Sequence, residues 1–172
     1  MVRQQRTIET SFTYEGTGLH TGKRVRTVFN PAPPGTGIIF RRVDLDPVVE
    51  IRAIAKNIPD SDPIRNTTIA SNGALIHTVE HILAAASGLQ VDNLLIDIDA
   101  DEAPEPRDGS CSQLVELIGK AGITEQGAPM RPLKITTPVS WEHDDVELIA
   151  LPHDGFRVSF TCLLYTSDAA DE

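Results

Sequence analysis

Cysteine is scarce in this 172-residue chain, which holds only Cys111 and Cys162. Cys162 falls in a C-terminal stretch set apart below. The one remaining cysteine cannot close an internal disulfide, which excludes an oxidised disulfide scaffold and indicates a reducing compartment. Long apolar runs are missing too. No stretch approaches the roughly 18 residues that cross a bilayer as a helix. The opening residues show no succession of charged n-region, apolar h-region and cleavage site. On these grounds the chain reads as cytoplasmic and soluble. An excess of positive charge is absent: the formal net charge is −10. An acidic chain is poorly suited to neutralising phosphates non-specifically, so nucleic acid is not an expected partner. A local basic pocket for one phosphorylated substrate stays compatible with that charge. What is present is ordinary globular material, 40% hydrophobic and 23% charged, enough to bury a core.

The first seventy residues read as β. Ile8, Thr10, Phe12 and Tyr14 alternate with polar neighbours, the period of a half-buried strand. A Gly-rich turn spans Glu15 to Gly22. Val25, Thr27 and Phe29 alternate again before Pro31-Ala32-Pro33-Pro34-Gly35 breaks the pattern. Residues 37–41, 48–53 and 67–70 are further strand candidates. The period then changes. Val79, Ile82, Leu83 and Ala86 fall at helical spacing, with Thr78 placed to cap the start and Gly88 to stop it. Leu94, Leu95, Ile96 and Ile98 form a short apolar run expected to be a buried strand. Asp108-Gly109-Ser110 reads as a turn and cap. A second amphipathic helix carries Leu114, Val115, Leu117, Ile118 and Ala121 and ends at Gly122.

The fold class is therefore α+β: a two-layer domain of a mostly antiparallel sheet with two helices, over residues 1–127. Gly127 to Pro132 reads as a linker. Residues 133–139, 146–151 and 156–160 are strand candidates with no helix to cover them. They are read as the first strands of a second, similar domain, 128–161, that is truncated. The last eleven residues, 162–172, break off a strand pattern still running at Phe160. They can be back-translated as a transposase sequencing adapter read in frame, so 162–172 is expected to be a non-native tail. Asp168, Asp171 and Glu172 belong to it, which leaves −7 on the remainder.

Two segments could carry chemistry. In Thr78-Val79-Glu80-His81, a histidine suited to metal stands beside a carboxylate in the first turn of a helix, where the dipole favours negative charge. A metal-bound water needs a nearby carboxylate to take its proton, and an adjacent Glu-His pair supplies base and ligand together. The spacing is not that of His-Glu-x-x-His. His77 lies four residues before His81 but precedes the expected cap. The same residues also fit a purely structural reading, in which Glu80 complements the dipole and His81 packs. The second segment is Gly16-Thr17-Gly18-Leu19-His20-Thr21-Gly22-Lys23. It is one residue too short for a phosphate-binding P-loop, and Arg24 stands where Ser or Thr is required. Its glycines would let backbone pass close to a ligand, or form a hairpin turn with His20 exposed. Cys111 reads as a small packed side chain. Arg24, Arg26, Arg41 and Arg42 read as solvated strand faces.

Taken together, Gly18-Leu19-His20-Thr21-Gly22-Lys23, Pro31-Ala32-Pro33 to Gly37 with Arg41-Arg42 and Asp44, Asn66-Thr67-Thr68, Thr78 to Ala85, Asp92-Asn93 and Asp108-Gly109-Ser110 resemble, in the same order, the UDP-3-O-acyl-N-acetylglucosamine deacetylase family. This is the zinc amidase of lipid A synthesis, acting at its committed step. The resemblance spans nearly all of residues 4–161. It implies two α+β domains with their helices between the sheets and an active site at the junction. It implies Zn2+ as cofactor and His81 as one of three metal ligands. Glu80 becomes the general base and His20 a substrate-binding residue. The implied partner is a UDP-linked acylated amino sugar, with transient contact at the inner membrane surface left open. The other two ligands, on a His-x-x-x-Asp helix, and a catalytic histidine belong to the second domain and have no counterpart here. His143 and His153 lie too early to supply them. Residues 102–107 run one residue longer and more polar than the family pattern.

The fragment itself is expected to be inactive. Two rivals remain: a non-catalytic α+β binding module in which His81 binds nothing, and another metallohydrolase using a His77/His81 pair. Contiguous genomic DNA beyond the Thr161 codon should encode a His-x-x-x-Asp motif and a later histidine. A reading frame that continues without them would remove the deacetylase reading.

Overall fold

The computed structural model describes residues 3–60, 66–144 and 146–161. The adapter-like stretch 162–172, with Cys162, lies outside the described residues. The chain separates into two compact units, Met1–Met130 and Arg131–Glu172.

The first unit runs in the order β1 (Gln4–Ile8), β2 (Phe12–Thr17), β3 (Arg24–Pro31), β4 (Ile38–Arg42), β5 (Val49–Arg52), β6 (Ile69–Ser71), β7 (Ala74–Ile76), α1 (Glu80–Gly88), β8 (Leu94–Ile98), α2 (Ser112–Ala121) and β9 (Ile123–Pro129). Five strands make one sheet in the order β2-β3-β8-β4-β5. Only β4 and β8 run parallel; the other neighbours in this sheet are antiparallel. The two helices and mostly antiparallel strands are the expected α+β architecture.

The register explains why the sheet holds. Phe12, Phe29, Ile96, Phe40 and Ile51 stand opposite one another across all five strands. The last four are fully buried, and the Phe12 ring stacks on Phe29 with centroids 4.5 Å apart. Full burial of such a side chain contributes about 1.5–3 kcal/mol, so this one row anchors every strand pairing in the sheet. Helix α1 buries Ile82, Ala85 and Ala86, and α2 buries Leu114, Ile118 and Ala121. These side chains and the apolar row belong to one core cluster.

Four local expectations give way. Ile8 to Tyr14 is two strands rather than one. The amides of Glu9 and Thr10 donate to the carbonyls of Gly122 and Ala121 at 3.0 and 3.1 Å. Those carbonyls close the end of α2, where no intrahelical donor remains, and the chain turns there to reach β2. The linker expected at Gly127 is strand as far as Pro129, because β9 pairs with β1. Thr78 is not a cap: its φ is +59°, and Val79 takes the N-cap position without a side-chain bond. Arg42 is not a solvated face. It is buried, forms a fork with both oxygens of Asp44 at 2.8 and 2.7 Å, and donates to the Leu75 carbonyl at 2.7 Å.

In the second unit, β10 (Val139–His143) and β11 (Val146–Ala150) form an antiparallel hairpin. Residues 133–138 and 156–160 carry no strand, because they find no pairing partner among the described residues. Trp141 opposes Leu148 and His143 opposes Val146, which places Val139, Trp141, Val146 and Leu148 on one face. All four are exposed. An open hairpin with such a face invites association. Trp141→Ser with Leu148→Thr should raise the soluble fraction of the 172-residue chain without altering the first unit. Centrifugation after expression measures the first point, and thermal unfolding followed by far-UV circular dichroism measures the second.

Candidate active site

The candidate residues sit where three connections of the first unit converge. The segment Asn66–Thr68 meets the start of α1. The amide of Val79 donates to the Thr67 carbonyl at 3.2 Å, and the amide of Thr67 donates back to Glu80 Oε2 at 3.0 Å. Glu80, the first residue of α1, is thus fixed by one oxygen. His81 follows it, with a side chain 22% exposed and Nε2 3.4 Å from Glu105 Oε1. His77 lies before the helix. Its Nδ1 is 2.8 Å from the Thr68 hydroxyl, and its backbone bridges Glu102 outside α1, whereas His81 lies within the helix.

Glu102 joins the two candidate segments, and the sequence reading missed it. Its side chain is fully buried. Its carboxylate accepts from the backbone amides of His20 at 2.9 Å and Thr21 at 2.8 Å, and from the Thr78 hydroxyl at 3.2 Å. One buried anion therefore ties the His20 loop to the residue that precedes Glu80. A β-branched residue at positive φ is a genuine backbone outlier, costing about 1–3 kcal/mol. The Thr78 hydroxyl bond to Glu102 offsets part of that cost. Glu102 is held in turn by its neighbours, since the His77 amide donates to the Asp101 carbonyl and the Ala103 amide to the His77 carbonyl, both at 2.9 Å. The signal available in the sequence was an acidic residue beside Ala103 and two residues before Pro104, between β8 and α2.

The Gly-rich segment is a tight turn, with Gly18 N bonded to the Lys23 carbonyl at 2.9 Å and Gly22 N to the Gly18 carbonyl at 3.0 Å. The glycines do admit a close approach, but of protein rather than ligand. A Cβ on Gly18 would lie 2.3 Å from Glu102 Oε2. His20 is exposed at the tip, and no hydrogen bond joins it to Glu80 or His81 among the described residues. An open cleft of about 750 Å³ runs beside the turn, with Leu19, Arg24, Glu105 and Arg107 among its lining. Asp92 and Asn93 serve the fold. Asp92 forks onto Arg3 at 2.6 and 2.8 Å, and buried Asn93 donates to Gln5 and Gln126. Asp108 makes the turn before α2, accepting from the Ser110 amide and hydroxyl at 3.0 and 2.9 Å.

His81 carries a donor of the type that suits a metal ion, and it pairs with the Glu105 carboxylate. An imidazole nitrogen suits zinc, and Glu105 Oε2 is buried with no hydrogen-bond partner. No group of three or more His, Cys, Asp or Glu side chains is placed to hold a metal among the described residues. His143 and His153 are exposed in the second unit.

Burial pushes the Glu102 carboxyl up. Donors from Thr21, His20 and Thr78 outweigh burial and hold it below its ordinary value of 4.5. A depressed folded-state pKa means stability that is complete above the ordinary value and lost as pH falls through the folded one. Glu102→Gln should therefore cost about 1.5–3 kcal/mol at pH 7, and the gap should narrow below pH 4.5. Denaturant unfolding at pH 7 and pH 3.5 measures it, and a gap equal at both would refute the assignment. Gly18→Ala should be destabilising at either pH because its methyl group displaces the carboxylate.

The chain matches the LpxC family, described as UDP-3-O-acyl N-acetylglycosamine deacetylase, over residues 5–170. It is 45% identical over 158 residues to the UDP-3-O-acyl-N-acetylglucosamine deacetylase of Saccharophagus degradans, covering 92% of this chain and 51% of the relative. The same-named protein of Marinobacter nauticus is 44% identical over 160 residues, covering 93% and 51%. That of Pseudomonas entomophila is 43% identical over 160 residues, covering 93% and 52%. The chain spans about half the length of the curated relatives it matches. With its α+β first unit and the Glu80-His81 pair opening α1, the chain belongs to the UDP-3-O-acyl N-acetylglycosamine deacetylase family.

Proposed function

We propose that the protein containing these residues is a zinc-dependent amide hydrolase that removes the N-acetyl group from a UDP-linked, 3-O-acylated N-acetylglucosamine. The observation that carries this reading is the Glu80-His81 pair at the first turn of α1, in a chain of this family. Zinc, when bound, supplies Lewis acidity and a water of lowered pKa. His81 is the ligand that this unit contributes. Glu80 is the base: Oε2 is held by the Thr67 amide, which leaves Oε1 to take the proton of the attacking water. The new C–O bond forms at the acetamide carbonyl, the C–N bond breaks as the departing nitrogen takes a proton, and acetate and the free amine leave. His20, at the tip of the turn tied down by Glu102 through its backbone amide, is the substrate-binding residue. Arg24 and Arg107, facing the cleft beside it, are the kind of side chain that binds a diphosphate. The chain has no helix long and apolar enough to cross a membrane among the described residues, and its work is read as cytoplasmic.

Catalytic zinc has three protein ligands, so the 172-residue chain alone should release no acetate from the substrate. In the full-length protein His81→Ala should remove zinc and abolish acetate release. His77→Ala should leave zinc content unchanged, because His77 pairs with Thr68 outside the helix. Metal analysis of the purified variants and an acetate assay measure both. Zinc lost with His77 but kept without His81 would overturn the assignment. Acetate release by the 172-residue chain would overturn its inactivity.

A further inference from the structure

His20 is exposed at the tip of its turn, so its backbone, rather than packing around the ring, sets where the imidazole stands. The His20 amide donates to Glu102 Oε1 at 2.9 Å, and the same oxygen accepts the Thr78 hydroxyl at 3.2 Å. One atom thus links the turn to the residue two before Glu80. The other oxygen, Oε2, takes the Thr21 amide at 2.8 Å. All three partners are neutral donors. Hydrogen bonds to a carboxylate are strong and directional, so they fix its place as well as its charge.

The backbone behind the carboxylate is clamped on both sides. Glu102 bridges His77 in parallel register. The His77 amide donates to the Asp101 carbonyl and the Ala103 amide to the His77 carbonyl, both at 2.9 Å. The Glu105 amide donates to the Thr17 carbonyl at 3.0 Å. The stretch 101–105 therefore carries the approach to α1 on one side and the base of the turn on the other. The Glu102 side chain extends that clamp to the tip. It sits against Gly18, where an added Cβ would lie 2.3 Å from Oε2, so it has little room to shift.

We propose that Glu102 is a positioning residue that couples His20 to Glu80: it sets the separation between the substrate-binding turn and the base. The proposal rests on the roles of His20 and Glu80 given above and adds the group that holds them in register. Glu102 touches neither substrate nor the reacting atoms. A misplacement of about 1 Å can cost on the order of 100-fold in rate, so a short rigid link between the two is worth its buried charge.

The test is steady-state acetate release by the full-length protein with zinc bound, arranged as a double-mutant cycle. Glu102→Gln keeps the shape but replaces one acceptor by a donor that faces the turn. It should lower kcat/KM by about 10- to 100-fold, with zinc content and circular dichroism unchanged. In a His20→Ala background the same substitution should cost less than about twofold, because the group it positions is gone. Thr78→Val cuts the link from the helix side and leaves the turn bonds in place. It should reproduce the loss, while Thr78→Ser keeps the hydroxyl and most of the activity. The two Thr78 variants decide the matter if Glu102→Gln does not fold. Wild-type activity in Glu102→Gln, equal losses in both His20 backgrounds, or a loss in Thr78→Ser that matches Thr78→Val would overturn the coupling and leave His20 and Glu80 in their roles. Wild-type kcat/KM in His20→Ala would overturn the substrate role of His20 and the coupling with it.

Discussion

A single buried carboxylate organises the end of the first unit that carries the candidate site. Glu102 lies between a glycine turn and a helix start that are far apart in sequence, and it supplies acceptors to both. The amides of His20 and Thr21 have no strand partner at the turn, and Thr78 carries a backbone conformation that its branched side chain resists. Each of these liabilities is met by the same two oxygens. Fully buried carboxylates are rare because desolvation disfavours the charged form, and three donors are what make this one tolerable. Gly18 follows from it, since no side chain fits beside Oε2.

The rest of the unit gives that carboxylate a fixed frame. The apolar row across β2, β3, β8, β4 and β5 ties the strand leading into the His20 turn to the strand preceding the Glu102 loop. Alanines on α1 let the helix approach the core closely, which sets Glu80 and His81 at the edge of the packed layer with access to solvent. The arrangement separates tasks: apolar burial carries stability, while polar groups at one end carry position.

The sequence made the repetitive parts legible and the singular parts obscure. Alternation identified β3, a short apolar run identified β8, and the candidate at 37–41 fell within a residue of β4, because most of their inward residues are apolar. Helical spacing identified α1 and α2 within a residue or two. The alternation from Ile8 to Tyr14 was misleading, since the same period crosses a chain reversal whose cause is the carbonyl end of α2, over a hundred residues away. Arg42 looked solvated because nothing local announces a fork with Asp44 and a carbonyl of another strand. Glu80 and His81 were visible as an adjacent pair. Glu102 was not, because its partners are backbone amides, which leave no mark on composition. Thr78 has the chemistry of a cap and was assigned that role, but its hydroxyl serves the carboxylate instead.

The pairing of β1 with β9 has a consequence for biosynthesis. The first strand of that unit, Gln4–Ile8, has as its only ladder partner among the described residues Ile123–Pro129, the last strand of the unit. At about 5–20 residues per second, the ribosome leaves β1 without its mate for on the order of ten seconds. Throughout that interval the edge of β1 that β9 will cover stays open, so the last step in closing this unit is the pairing of its two ends.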